Sequence, residues 1–160
     1  MAIEYSLVLG TEESGQLVAE VLRDAGCSAD LWATTSATVN DVLSGCATSR
    51  GTWIRVIERT PLPPYNPEED SFGFTPSVFV MFRLGHKYDY ELQDDDMIRL
   101  VAALLDGVPG DAVLYQDTED EVWLLRRHGE LSVRENSDVW PEHRLALLTP
   151  PYRRATHRFR

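Results

Sequence analysis

The segment Glu91–Leu105, ELQDDDMIRLVAALL, restricts the fold of this chain more than any other stretch. Its apolar residues recur at the spacing of one continuous helical face: Met97, Ile98, Val101, Leu104 and Leu105. A face of that width is typical of a helix that packs against a core. The segment therefore predicts an amphipathic helix, Asp94–Asp106, that covers one face of a sheet.

Three aspartates precede the apolar run, and they allow two interpretations. Asp94 and Asp96 could hold a divalent metal, but such a site needs further oxygen or nitrogen ligands that the sequence does not show. An aspartate directly before a helix can instead cap backbone N–H groups. The next two then lie where the helix dipole favours negative charge, each worth roughly 0.3–1 kcal/mol. We therefore predict that Asp94, Asp95 and Asp96 begin the helix, and that the chain holds no metal and no cofactor.

The strands are predicted by alternation and by β-branched composition. IEYSLVL (residues 3–9) and GTWIRVIE (residues 51–58) have the period of two that marks half-buried strands. SVFVMFRL (Ser77–Leu84) is β-branched and aromatic, and it predicts the best-buried strand. After the helix, DAVLYQD, EVWLLRR and ELSVRE predict a meander in which His128-Gly129 forms a two-residue turn.

A second main helix is predicted over Thr11–Ala25, because apolar residues there share one helical face. Thr11 is its predicted N-cap, and Gly26 is its predicted stop. The segment 27–50 gives a weaker signal and predicts a short strand near Leu31–Ala33 and a helical turn near Val39–Leu43.

These elements predict an α+β fold in a single domain. The domain spans residues 1–152, with an antiparallel β-sheet and two main helices packed on one face. Residues 153–160, RRATHRFR, form a basic C-terminal tail. Since they are polar and follow two prolines, we expect a frayed and solvated terminus.

The composition supports one globular domain. A chain of 160 residues with 43% hydrophobic residues can bury a sizeable core. No stretch approaches the roughly 18 apolar residues of a membrane helix, and the N-terminus, MAIEYSLVLG, is a poor signal peptide. We therefore expect a cytoplasmic protein without a membrane partner, in which Cys27 and Cys46 are free thiols.

The charge of the chain argues against a nucleic-acid partner. The net charge is −11, and the last eight residues hold four arginines and no acid. Without those four positive charges, residues 1–152 carry −15. Phosphate contacts require a basic surface, which this body lacks.

The sequence contains no enzyme signature. The histidines lack the spacing of a metal site, and the cysteines lack a neighbouring base. No serine lies in a GxSxG elbow, and LGTEESG falls short of the glycine-rich phosphate loops. We therefore predict a protein that is not an enzyme, with no catalytic residues.

Acidic clusters and a proline-rich loop are the candidate partner-binding features. The loop, RTPLPPYNPEEDSFGFTP, cannot form a central strand or helix because of its prolines. Long loops in compact domains are often functional, acidic clusters attract basic partners, and aromatic residues anchor interfaces. The predicted partner-binding residues are Tyr65, Glu68, Glu69, Asp70, Phe72, Phe74, Asp117, Glu119, Asp120 and Glu121.

Several stretches resemble one family of small bacterial proteins. MAIEYSLVL with the helix after it, FGFTPSVFVMFRL, the Asp-led helix and DAVLYQDTEDEVWLLRRHGELSV are similar to Sit-type immunity proteins. Those proteins protect a cell from polymorphic swarming-inhibition toxins and are widespread in actinobacteria. The similarity covers residues 1–10 and about 72–134, while residues 27–70 depart from it. The resemblance implies a cytoplasmic protein that binds and neutralises a cognate toxin, and it supplies no catalytic residues.

A function of another class stays open. The crevice beside the proline-rich loop could serve a small-ligand binding protein or an enzyme. The neighbouring gene discriminates between the two hypotheses, because a secreted toxin favours immunity and a metabolic operon favours the enzyme.

Overall fold

A computed structural model describes residues 2–34, 36–58, 64 and 66–160. The strands among them are β1 Glu4–Gly10, β2 Cys46–Ala47, β3 Trp53–Glu58, β4 Val78–Arg83, β5 Asp111–Gln116, β6 Leu124–Arg127, β7 Glu130–Val133 and β8 Arg153–Arg154. The helices among them are α1 Gly15–Ser28, α2 Val39–Ser44, α3 Pro67–Phe72, α4 Tyr90–Gly107 and α5 Glu142–Leu145.

The strands of the described segments form one sheet in the order β2-β3-β4-β1-β5-β6-β7-β8. Each neighbouring pair is antiparallel except β7 and β8. His128 and Gly129 join β6 to β7 with positive φ angles of 51° and 79°, which is the geometry of the predicted two-residue turn. The predicted α+β class in a single domain is confirmed.

The sheet has an inner face, which the helices α1 and α4 cover. Tyr5, Leu7 and Leu9 of β1 point toward this side and share one apolar core with α1 and α4. The other face, called the outer face below, has a smaller apolar cluster around Val8 and Val113. β1 is therefore buried on both faces rather than half-buried, because residues far along the chain cover its second side.

The first residues of both main helices differ from those predicted. α4 begins at Tyr90, and the side chain of Asp89 caps it by accepting the backbone N–H groups of Glu91 and Leu92 at 2.8 and 3.3 Å. The prediction that Asp94, Asp95 and Asp96 begin the helix is therefore wrong. A suitable cap, Asp89, lies about one turn earlier, and the polar residues between Asp89 and Asp94 are also helical. A polar first turn carries no apolar period that would reveal it.

α1 also begins later and ends later than predicted. Its N-cap is Ser14, whose hydroxyl accepts the N–H group of Leu17 at 3.1 Å, whereas Thr11 lies before the helix. Gly26 does not stop the helix but lies inside it, with the ring of Trp32 packed against its backbone. Tertiary packing therefore overrides the local stop signal of this glycine.

The proline-rich segment contains one short helix that its prolines seemed to exclude. α3 runs from Pro67 to Phe72, with Pro67 in the first turn, where the missing N–H group costs no hydrogen bond. The predicted exclusion of helix is therefore wrong for this part of the segment. Residues 59–63 and Tyr65 lie outside the described residues.

The C-terminal residues pack onto the sheet, so the expected frayed and solvated terminus is wrong. Arg153 and Arg154 form β8, which pairs in parallel with β7. Phe159 packs against the outer apolar cluster, and Arg158 forms an ion pair with Glu121. Strand pairing, one aromatic ring and one ion pair together hold this tail, although its composition is mostly polar.

Candidate functional site

Most of the predicted partner-binding residues lie around α3 and in the connection between β5 and β6. The chain terminus joins these two segments on the outer side of the molecule. The backbone N–H of Phe159 donates to the carbonyl of Asp120 at 3.0 Å, and the N–H of Arg160 donates to Ser71 Oγ at 3.0 Å. Two acidic clusters that are far apart in sequence are therefore bridged by two consecutive residues of the tail.

An aromatic contact strengthens this junction. The ring of Phe159 lies edge-on to Phe72 and to Tyr115, with ring centroids 5.0 and 4.8 Å apart. The Tyr115 hydroxyl donates to Glu68 Oε1 at 3.2 Å, which fixes α3 over β5. Burial is the main cause that raises the pKa of Tyr115, with the charge of Glu68 adding to it.

Two of the predicted residues are too buried to offer much surface to a partner. Glu68 and Phe74 are each 4% exposed. Glu68 serves the hydrogen bond with Tyr115, and Phe74 packs in the outer apolar cluster under the guanidinium of Arg127, 5.7 Å from its ring centroid. Both side chains hold α3 and the following residues against the sheet.

The carboxylates of the connection between β5 and β6 differ in their partners. Arg134 forms ion pairs with Glu119 at 3.4 Å and with Glu121 at 2.9 Å, and Glu121 also pairs with Arg158. Their negative charge is therefore largely offset within the molecule. The side chains of Glu69, Asp70, Asp117 and Asp120 remain exposed, and we call these four the acidic surface.

Asp117 has an unusual environment within the acidic surface. Ser6 Oγ donates to Asp117 Oδ1 at 2.8 Å across the end of β1. Burial raises the pKa of Asp117, and the charge of Glu4 adds to this, while the hydrogen bond from Ser6 lowers it. The carboxylate is therefore held in a fixed orientation at the border of the outer face.

The three aspartates of α4 point in different directions and do not converge on one ion. Asp94 lies against Tyr5 and Arg144, Asp95 contacts Arg144 and His143, and Asp96 lies 3.5 Å from Arg50. Within the described part of the chain, no group of three His, Cys, Asp or Glu side chains could hold a metal ion.

Arg144 is the residue that organises these aspartates, and sequence reasoning missed it. Its side chain is 1% exposed and donates to Asp95 Oδ1 at 2.6 Å, to Glu91 Oε2 at 2.8 Å and to the Val139 carbonyl at 3.0 Å. Burial lowers the pKa of Arg144, but the hydrogen bond and charge of Asp95 raise it above its ordinary value. The available signal was HRLALL, which places an arginine within an apolar helical pattern.

Burial also shifts the acidity of Asp94. It raises the pKa of this carboxyl to about 6, although the charge of Arg144 and a hydrogen bond from Tyr5 act in the opposite direction. One oxygen, Oδ1, is buried without a hydrogen-bond partner among the residues that the structure describes. The cluster holds α5 against α4 on the inner side.

An open concavity of about 470 Å³ lies near the end of the proline-rich segment. Its lining comes from the loops around Gly10, Thr75 and Gly110, with the carboxylates of Glu12 and Glu13 at one side. This is the crevice that a small ligand could use. The ionisable side chains in this lining, Glu12 and Glu13, are both exposed carboxylates. An acid and a base that work together need different environments, which these two carboxylates do not have.

Comparisons with known proteins give one match. The family model described as SitI3-like matches residues 3–144, which include the segment 27–70 that the resemblance had left out. No curated protein and no solved structure matches the chain. No helix among the described residues is long and apolar enough to span a membrane.

Proposed function

Because this chain belongs to the SitI3-like family, we propose that it is an immunity protein that binds and neutralises a cognate polymorphic toxin. The family match over residues 3–144 is the observation that carries this proposal. The family name suggests an immunity role, and such a role implies a toxin partner and needs no catalysis. The toxin is met in the cytoplasm of the cell that the protein protects.

The acidic surface supports the proposal through its charge. Glu69, Asp70, Asp117 and Asp120 are exposed around the junction of α3 with the chain terminus, on a chain whose net charge is −11. Complementary charge accelerates the encounter of two proteins, so this surface suits a basic toxin domain. Binding there blocks the toxin by covering it.

Apolar area next to the charges would slow dissociation of the complex. Phe72 and Phe159 are half-buried and in contact at the same junction. Apolar contact mostly determines how long a complex lasts, whereas charge mostly determines how fast it forms. Tyr65 lies outside the described residues and stays a predicted member of this surface.

Co-expression tests the proposal directly. The toxin gene beside the gene of this chain is induced in a susceptible strain, with and without this chain, and growth is measured. We expect growth to be restored only when both are present, and a 1:1 complex of the two purified proteins by calorimetry. An unrelated toxin of similar charge is the control, since it should stay lethal. Continued killing by the cognate toxin, together with no detectable complex, would refute the proposal.

A further inference from the structure

The most exposed large hydrophobic side chains belong to two segments of the chain that meet at one corner of the molecule. Within the described chain these are Trp53, Tyr88, Tyr90 and Leu92, which are 38%, 48%, 39% and 44% exposed. They belong to two segments, 50–53 at the start of β3 and 85–92 between β4 and the first turn of α4. Scattered exposed hydrophobic residues are ordinary, whereas a group at one place indicates an interaction surface.

The two segments are in direct contact. The ring of Tyr88 lies over Gly51, whose φ is 84°, and a Cβ atom at Gly51 would be only 2.8 Å from that ring. The backbones of Gly51 and Gly85 also meet closely, because a Cβ atom at Gly85 would be 2.8 Å from the Gly51 carbonyl oxygen. The close approach therefore depends on glycine at both positions.

A buried glutamine fixes this corner. Gln93 is fully buried and accepts hydrogen bonds from Thr52 Oγ1 and from the Gly85 N–H, both at 2.8 Å. Its amide group donates to the carbonyls of Gly85 and Tyr88 at 2.9 and 3.3 Å. The loop that carries Tyr88 is therefore held in one conformation, and a surface that is ordered before binding loses less entropy on association.

Trp53 extends this corner onto the open half of the outer face, where one side of its ring packs against the backbone of Gly45. A concavity of about 200 Å³ lies beside it, with Ile57 and Met81 as half-buried apolar residues and Arg55 and Arg83 exposed. This volume is small for a drug-sized ligand, which needs about 300–1,000 Å³. It is suited to a single side chain that projects from a protein.

The corner carries charges of both signs, but its carboxylates already have partners within the molecule. Glu4 lies near Arg83, the side chain of Asp89 caps α4, and Glu91 pairs with Arg144. Arg83 lies 3.7 Å from Glu4, while Arg55 and Lys87 have no ion-pair partner among the described residues. Tryptophan, tyrosine and arginine are the residue types most enriched at binding hot spots. A partner that projects an apolar side chain with a carboxylate beside it would complement both the exposed aromatic rings and the unpaired cations of this corner.

We infer that the corner formed by Trp53, Arg55, Tyr88, Tyr90 and Leu92 is a second contact surface for the toxin, and that it receives an apolar segment flanked by carboxylates. This inference rests on the proposed function, which supplies the toxin as the partner. A second copy of the chain fits less well, because two molecules of net charge −11 repel each other. The same net charge disfavours a nucleic acid.

The test measures binding kinetics with the toxin domain encoded beside the gene of this chain. Trp53→Ala and Tyr88→Ala should each raise the dissociation rate about tenfold. Arg55→Glu should raise Kd by a similar factor. Arg154→Glu is the matched control, because it makes the same charge change at the opposite edge of the sheet. It should leave Kd within about twofold of the parent, since an exposed charge that is remote from the corner acts only through solvent-screened electrostatics.

The outcomes separate this inference from the proposed function. If the parent chain binds and all three corner variants bind as it does, the corner is not a contact and only this inference fails. If the parent neither binds nor protects, the proposed function fails and this inference fails with it. Light scattering after gel filtration tests whether a second copy of the chain occupies the corner instead. If the parent is a dimer and Tyr88→Ala is a monomer, the toxin is not the occupant and this inference is wrong. Should Trp53→Ala unfold the protein, Tyr88→Ala and Arg55→Glu decide the question.

Discussion

The ring of Phe159 meets the ring of Phe72 edge-on, with centroids 5.0 Å apart and an angle of 65° between the ring planes. Phe159 is the next-to-last residue of the chain, and Phe72 is the last residue of α3. The contact therefore connects the chain terminus to the segment that carries two residues of the acidic surface, Glu69 and Asp70. We therefore expect the stability of the outer side to depend on Phe159.

Phe159→Ala should lower the free energy of unfolding by about 1–2 kcal/mol. The ring is half-buried, so the loss is smaller than for a core phenylalanine, and it includes two edge-on aromatic contacts. Urea denaturation followed by circular dichroism measures the change. Arg154→Ala, in the same terminal segment but exposed, should cost less than about 0.5 kcal/mol. Equal stability of both variants and the parent would show that the terminus contributes nothing.

Arg144→Met should destabilise the protein by about 3–5 kcal/mol, because it leaves the carboxylates around it without their buried cation. His143→Ala removes the neighbouring contact to the same acceptor, Asp95 Oδ1 at 2.8 Å, but His143 is exposed. Its cost should be about 0–1 kcal/mol. Chemical denaturation of the two variants compares a buried and an exposed partner of one carboxylate, and similar losses would contradict the assigned role of Arg144.

Asp94→Asn should increase stability at neutral pH but not at acidic pH. The pKa of Asp94 is raised to about 6 in the folded state by burial, from an ordinary value of 3.8. The folded state thus holds the proton that the unfolded state releases, so the parent loses stability as pH rises from about 4 to about 6. The asparagine variant has no such loss.

Urea denaturation of both proteins from about pH 4 to about pH 7 measures this difference. It should grow with pH and level off above about pH 6, at about 1–3 kcal/mol. Taking the difference cancels the contributions of the ionisable groups that both proteins share. A constant difference across this range would show that Asp94 does not titrate there.

Charge reversal on the acidic surface should slow association with the toxin. Glu69→Lys/Asp70→Lys and Asp117→Lys/Asp120→Lys should each lower the association rate at low salt, and the effect should shrink as salt screens the charges. Stopped-flow kinetics with the toxin domain measures the rates. Glu20→Lys/Asp24→Lys makes the same charge change on α1, on the other side of the sheet, and should have a smaller effect. Equal effects of all three pairs would mean that only net charge matters.

The elements of this fold were predictable where the pattern is local. The alternation in IEYSLVL and GTWIRVIE, the apolar run of Ser77–Leu84 and the turn at His128-Gly129 all depend on neighbouring residues, and the structure has these elements. Helix starts were less predictable, because several polar residues near each start can cap. Asp89 and Ser14 cap, whereas Asp94 and Thr11 do not, and the difference arises from the loops that lead into each helix.

The candidate surfaces show the same division. The acidic character of the chain and its aromatic residues follow from the sequence alone, because charge and residue type are properties of single positions. The tertiary structure decided which of them are available. It buried Glu68 and Phe74, paired Glu119 and Glu121 with arginines, and docked a polar tail through Phe159. It also brought residues 50–53 against residues 85–92, because Gln93 satisfies its hydrogen bonds with both segments, and no local pattern encodes a contact between such distant parts of a chain.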